Sequence, residues 1–289
     1  MAFAIVAIWG STFVFTKMLL LYGLSPAQIF TLRFIIAYVL LLGYSLLTAG
    51  TRFRLFADTW RDELLMFGLG VSGGTLYFLT ENSSMNFTTT TNTSLIVSLS
   101  PLVATALISI FYKTERLSRI RMLGTLMAAF GVVIVVLNGH FVLHLSPLGD
   151  SLAFSAALCW GVYSLLMIPA NAKYDTVFIT RKVFIYGLLS MIPYFLLMPG
   201  EAEVFTFQSV LHLPSSIVIN LLFLGCVASM LCFLAWNWVM KKLGAVVATN
   251  YVYFNPVTTI VFAWLILSEQ ITLYCLLGMF LADSRTSHK

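Results

Sequence analysis

Long apolar runs, broken at intervals by short clusters of polar and small residues, dominate the chain. A helix needs about 20 residues to cross about 30 Å of hydrocarbon. Read at that length, the runs predict spans near residues 2–22, 26–48, 64–82, 88–112 and 121–138, then 149–169, 180–199, 216–240, 244–268 and 271–282. Pro26, Gly50, Gly139, Pro147, Gly200 and Pro214 fall at or beside the breaks, where interrupting a helix costs least. The tenth run is only about 12 residues, or about 18 Å of helix, so the last helix is expected to be truncated or altered. The first run begins almost at Met1, with Lys17 inside it and neither a basic leader nor a small-residue cleavage site. It is read as a transmembrane helix rather than a signal peptide, and the missing polar lead suggests alteration at this end as well.

Composition turns this pattern into a fold class. Of 289 residues, 60% are hydrophobic and 9% charged, with a mean hydropathy of +0.96; soluble domains carry about 25% charged residues. A soluble fold is excluded, and ten spans leave no room for a soluble domain. The expectation is an all-α, multi-pass integral membrane protein of ten transmembrane helices, in contact with the lipid bilayer.

The net charge of +5 and pI of 9.0 would raise the question of nucleic acid in a soluble protein. Here the basic residues report orientation instead. Arg52, Arg54 and Arg61 lie between spans 2 and 3; Lys113, Arg116, Arg119 and Arg121 between or beside spans 4 and 5. Lys173, Arg181 and Lys182 follow span 6, Lys241 and Lys242 follow span 8, and Arg285 and Lys289 close the chain. The alternate loops, near Leu24, Asn86, His140 to His144, Glu201 to His212 and Glu269, hold no Lys or Arg. Only Lys17 and Arg33 of the 16 basic residues fall inside apolar runs. The positive-inside rule then places both termini in the cytoplasm. Cys159, Cys226, Cys232 and Cys275 all sit in apolar runs without metal-ligand or redox spacing, and are read as packing residues.

An internal repeat emerges when Pro101 is laid on Pro256. Glu115 and Gly124 follow the first proline, Glu269 and Gly278 the second, at nearly the same offsets; Asn82 and Asn237 each precede their proline by 19 residues. Trp9-Gly10 corresponds to Trp160-Gly161, and Arg33 roughly to Arg181. Residues 1–138 and 148–283 are thus expected to be two copies of a five-helix unit. An odd number of helices per copy inserts the second upside down, and basic loops of one half do match uncharged loops of the other. In transporters, inverted repeats place the substrate near the midplane at their interface and permit alternating access.

The residues that carry this repeat also carry a resemblance. Ile8-Trp9-Gly10-Ser11-Thr12-Phe13, Leu32-Arg33-Phe34, Ser100-Pro101 with Glu115-Arg116-Leu117 and Gly124, and Asn255-Pro256 with Glu269 and Gly278 resemble the ten-helix drug/metabolite transporter superfamily of EamA type. The resemblance covers nearly the whole chain. It implies a metabolite carrier, often an exporter, in a bacterial inner (plasma) membrane, and fixes no substrate.

Ionisable groups at membrane depth are costly, which makes Lys17, Arg33 and Glu81 the first candidates for chemistry. All three fall toward the outer side, so Glu81 is expected to pair with Lys17 or Arg33 and to release that partner when substrate or a proton arrives. Glu81 is the one acidic residue not plainly at a loop or helix end, and so the candidate proton-coupling group. The competing reading is a snorkelling Lys17 and a static pair that orients helices. Thr91, Ser94, Ser98, Pro101 and Thr105 form a polar stripe on span 4, read mainly as helix glue. Thr249, Tyr253 and Pro256, with Asn250 and Asn255 beside them, form the matching stripe on span 9. Pro101 and Pro256 should each free a carbonyl, at Val97 and Val252, and are candidate bending points. Trp9 and Trp160 could wall a central site with Tyr77, Tyr163, Trp236 and Tyr253, and Asn92, Asn237 and Asn250 as polar points. Such a cavity suits amino acids, nucleobase-like compounds or drugs better than multiply charged phosphates.

The reading is therefore a secondary-active exporter of small metabolites, possible as a homodimer, with protons as the candidate coupling ion. The alternative is a channel or structural membrane protein, but the charged or carbonyl rings that a channel filter would need are not visible in the sequence. An intramembrane enzyme would need catalytic groups at depth, yet His140, His144, His212 and His288 fall in loops or the tail. No cofactor, metal or nucleic-acid motif is visible.

Overall fold

The computed structural model describes residues 1–49, 53–112, 146–206, 209 and 212–268. Among them every regular element is helical, and eight helices are long and apolar enough to cross a membrane. They are α1 (Ala2–Tyr22), α2 (Pro26–Thr48), α3 (Trp60–Ser84), α4 (Thr90–Phe111), α5 (Pro147–Lys173), α6 (Thr176–Leu197), α7 (Ser215–Leu243) and α8 (Ala245–Leu267). The expected fifth and tenth spans lie outside the described residues, as do Arg52, Lys113 to Arg121, His140 to His144, Glu269, Cys275, Arg285 and Lys289.

Three helices begin earlier than the run of apolar residues implies. α3 starts at Trp60 because Thr59 accepts a hydrogen bond from the Asp62 amide and Asp62 and Glu63 occupy the positive first turn. In α5, Ser146 caps the Gly149 amide and Pro147 opens the helix. In α6, Asp175 caps the Phe178 amide, so Arg181 and Lys182 lie within the helix and are buried rather than flanking it.

Four helices are irregular, at related places. α3 is π-helical over Val71–Leu76 and α7 over Phe223–Leu231. α4 divides into Thr90–Val97 and Ser100–Phe111, and α8 into Ala245–Asn250 and Asn255–Leu267 with a 3-10 turn at Tyr251–Phe254 between. The expected mid-helix proline kink is thus a break. Pro101 and Pro256 sit in the first turn of the second segment, where the missing amide has no intrahelical partner to lose.

The core is an aromatic stack where α2, α3, α6 and α7 meet. Phe34 lies 4.3 Å from Phe30, 5.3 Å from Phe78 and 4.9 Å from Phe184, measured between ring centroids, and Phe184 is 5.7 Å from Phe233. α1 packs along the second segment of α8, and α5 along α3 and α4. Close approach there depends on two glycines. A methyl group at Gly10 would meet Thr258 Oγ1 at 1.8 Å and the Asn255 carbonyl at 2.5 Å; at Gly161 it would meet Val103 Cγ1 at 2.5 Å. Each Trp-Gly pair therefore sets its helix against a broken one just past the proline.

Candidate functional site

The break in α4, the break in α8 and residues of α1, α2, α3, α5 and α7 line a central cavity, with about 410 Å³ of space between atoms, open solvent included. Its aromatic walls are Trp9, Phe13, Tyr77, Phe78, Trp160 and Phe233; its polar points are Thr12, Arg33, Glu81, Ser100 and Asn255; Val97 and Val252 complete the lining. Trp9 and Trp160 meet edge to face at 5.4 Å. The Trp9 indole donates to the Ala228 carbonyl at 2.9 Å, whereas the Trp160 indole N–H has no partner among the described residues. Ser100 Oγ and Asn255 Oδ1 are likewise buried with no hydrogen bond among the described residues. Buried polar atoms left unpaired cost free energy, so these three make the cavity receptive to a polar ligand.

The charges are placed differently from the expectation. Arg33 is 1% exposed; its Nε donates to Ser229 Oγ at 2.9 Å and its guanidinium carbon lies 4.4 Å from the centre of the Phe78 ring. Its two Nη groups have no partner among the described residues. Glu81 Oε1 accepts from the Tyr77 hydroxyl at 2.8 Å, and Oε2 accepts nothing among the described residues. No ion pair joins Glu81 to Arg33 or to Lys17 among the described residues. Lys17 turns away to donate to the Met85 carbonyl just past the end of α3, where carbonyls lack helical partners and the dipole favours a cation. Among the described residues the cavity thus holds one cation and one carboxylate, close enough to attract each other but joined by no hydrogen-bonded ion pair.

Of the residues singled out from the sequence, Trp9, Tyr77, Trp160, Arg33 and Glu81 come together here. Tyr163, Trp236 and Asn237 form a buried layer behind the wall: the Tyr163 hydroxyl donates to Asn237 Oδ1 at 2.6 Å, and Asn237 Nδ2 to Thr180 Oγ1 at 2.9 Å. Asn92 lies elsewhere, donating to Asp150 Oδ1, and Asn250 is exposed; neither they nor Tyr253 line the cavity. On α4 the stripe hydroxyls of Ser94 and Ser98 donate to carbonyls of their own helix, at Thr91 and Ser94. Sequence reasoning did not single out Thr12, Phe13, Phe78, Phe233 or Ser100 as lining, and placed Asn255 only beside the polar stripe of span 9. A signal existed: at the 155-residue spacing that relates the prolines, Phe78 falls on Phe233, Val97 on Val252 and Ser100 on Asn255.

A second cluster gathers the basic residues at one end of the bundle. Lys173 donates to Asp62 at 2.8 Å, and Lys182 pairs with Glu63, which also accepts from the Tyr186 hydroxyl and, at 2.7 Å, from the Ala57 amide. Tyr174 donates to Asp62 at 3.1 Å and accepts from the Asp58 amide at 2.9 Å, while Lys241 donates to the Tyr174 carbonyl. Burial, with the Asp62 hydrogen bond adding to it, lifts the Tyr174 phenol above its ordinary value and keeps it a donor. Arg181 donates to Ser45 Oγ and to the Arg54 carbonyl and stacks 4.2 Å from the centre of the Phe53 ring. At the opposite end the ties are sparser: Glu201 accepts from Ser25 and Tyr194, and its carbonyl from Gln28.

The sequence profile of the EamA-like transporter family matches residues 1–137 and again 147–282. This chain belongs to that family. It is accordingly a multi-pass membrane transporter of the drug/metabolite type, and its relatives imply a small-molecule substrate. A protein named as an uncharacterized transporter in Archaeoglobus fulgidus is 29% identical over 94% of this chain and 89% of its own length. A probable amino-acid metabolite efflux pump of Escherichia coli K12 is 24% identical over 97% of this chain and 90% of its own length. A solved crystal structure at 19% identity covers 97% of this chain and 96% of its own, with a TM-score of 0.62, so the fold is one already seen in a crystal.

Proposed function

We propose that this transporter exports small zwitterionic metabolites, amino acids first among them, by alternating access around the central cavity. The observation that carries the reading is Arg33, 1% exposed, with two donor groups unpartnered among the described residues, in the same cavity as Glu81 and in no hydrogen-bonded ion pair with it. A solute carboxylate fits the guanidinium bidentately, its ammonium fits Glu81 and the aromatic faces, and its apolar body fits the walls of Trp9, Trp160 and Phe233. The name of the E. coli relative supports amino acids ahead of nucleobase-like compounds or drugs.

In this reading the two family-matching stretches are inverted five-helix repeats, the basic end faces the cytoplasm, and the breaks at Pro101 and Pro256 are where one bundle rocks against the other. Glu81 is the coupling carboxyl: protonated it releases a substrate ammonium, ionised it holds one. Thermal shift of the purified protein tests the substrate class. L-leucine should stabilise it, while 4-methylpentanoate and isoamylamine, each lacking one charge, should not. Equal stabilisation by all three, or by none of a panel of amino acids, would overturn it. For coupling, Glu81→Gln should abolish pH-driven flux in vesicles while insertion stays normal; flux with unchanged pH dependence would contradict the role.

A further inference from the structure

All three ion pairs among the described residues lie at the basic end, and two of them, Asp62–Lys173 and Glu63–Lys182, cross between the two family-matching stretches. Asp62 and Glu63 come from the first turn of α3; Lys173 and Tyr174 from the end of α5, Lys182 and Tyr186 from α6. The segment before α3 lies across them, its Ala57 and Asp58 amides donating into the cluster. Lys182 is 4% exposed, held over the Phe56 ring at 5.1 Å and the Tyr186 ring at 5.1 Å.

The position of this cluster matters as much as its chemistry. α3 carries the two carboxylates at one end and Tyr77, Phe78 and Glu81 at the cavity, with the π-helical Val71–Leu76 between. Glu63 and Tyr77 are separated by roughly 21 Å of helix. The layer of Tyr163, Trp236, Asn237 and Thr180 fills the space between cavity and cluster on α5, α6 and α7. A seal of polar groups can part when water replaces its bonds, whereas parting an apolar seal exposes apolar area to water. Glu63, at 22% side-chain exposure, and Lys173, at 57%, already reach solvent. The opposite end has no ion pair among its described contacts; its ties are hydrogen bonds, of Glu201 with Ser25, Tyr194 and Gln28, of Asn92 with Asp150 and of Lys17 with the Met85 carbonyl.

We propose that the Asp62–Lys173 and Glu63–Lys182 pairs, with Tyr174 and Tyr186, form a latch that closes the cavity toward the basic end, and that parting them opens it there. The proposal rests on the carrier reading, since a latch presupposes a cavity that opens. It gives α3 a transmitting role: substrate at Tyr77 and Glu81 acts on the same helix whose far end bears the latch carboxylates.

Side-resolved labelling tests it without a known substrate. A single cysteine at Val252, in the full-length chain with its own four cysteines replaced by alanine, is exposed to a membrane-impermeant maleimide in vesicles of each orientation. Glu63→Gln and Lys182→Gln should each raise labelling from the basic end several-fold and lower it from the other end. The charge-swapped pair Glu63→Lys with Lys182→Glu should return both toward the parent values. Tyr174→Phe, a milder change that keeps both ion pairs, should shift labelling the same way by less, and it decides the matter should the charge variants fail to reach the membrane. Labelling unchanged from both sides, or raised equally from both, would overturn the latch and leave these residues as structural ties. Altered labelling in a protein that shows no solute counterflow would overturn the carrier reading alone.

Discussion

The two family-matching stretches build the same frame around the cavity and furnish it differently. Phe78 and Phe233, Val97 and Val252, and Ser100 and Asn255 line it at a common spacing, and the Trp-Gly pairs at 9–10 and 160–161 pack against the two broken helices at matched places. Yet where the first stretch has Tyr77 and Glu81, the second has Cys232 and Trp236 at that same spacing, and Arg33 also belongs to the first. The frame is duplicated; the charge is not. On the function proposed above, duplicate packing is the architecture of a carrier and the asymmetric charges are its chemistry.

The largest expected effect comes from erasing that asymmetry. Arg33→Gln removes the one cation lining the cavity, and losing one partner of a buried charge contact costs about 2–5 kcal/mol, or roughly 30-fold to more than 1,000-fold in ligand affinity. Isothermal titration with L-leucine should show that loss with the melting temperature of the free protein nearly unchanged; retained affinity would remove Arg33 from the site.

Disturbing the shared frame should cost stability instead. Gly10→Val and Gly161→Val each drive a side chain into an opposing helix, at Thr258 and Val103, and overpacking of this kind costs about 1–3 kcal/mol. Both variants should lose stability in thermal unfolding, Gly10→Val the more, because its added carbon would meet the Asn255 carbonyl at 2.5 Å whereas the nearest backbone atom to Gly161 is at 3.1 Å. A cost confined to one of them would show that the halves do not pack alike.

The smallest effect separates the two tryptophans. Trp9→Phe forfeits the indole bond to the Ala228 carbonyl and should lose about 1 kcal/mol of stability. Trp160→Phe forfeits no protein hydrogen bond, so it should leave stability within a few tenths of a kcal/mol and change ligand affinity instead. The reverse pattern would mean that the Trp160 N–H is not offered to a ligand.

Hydrophobic periodicity made the helices legible, and repeated Trp-Gly and proline positions made the duplication legible, because both depend on spacing along the chain. Arg33 and Glu81 stood out for a different reason: a charge at membrane depth needs a cause. Partner choice was not legible. Lys17 sits at the same expected depth as Glu81 but faces the end of α3, a matter of helix rotation that spacing alone does not determine. Tyr163, Trp236 and Asn237 read as site residues, yet none lines the cavity: Tyr163 and Asn237 bond each other, and Trp236 is buried with its indole N–H unpartnered among the described residues. The basic residues at 173, 181 and 182 were read only for orientation. Their pairing with Asp62, Glu63 and Ser45 spans more than 100 positions of sequence and emerges only from the folded chain.

The central claim, a carrier whose single solute site lies between Arg33 and Glu81, is tested most directly by counterflow in proteoliposomes. Radiolabelled L-leucine should accumulate transiently and saturably against unlabelled L-leucine inside, with the rate lost at least tenfold in Arg33→Gln and retained in Lys242→Gln, whose charge lies outside the cavity. Linear, non-saturating flux with no acceleration by internal solute, or full counterflow in Arg33→Gln, would contradict it.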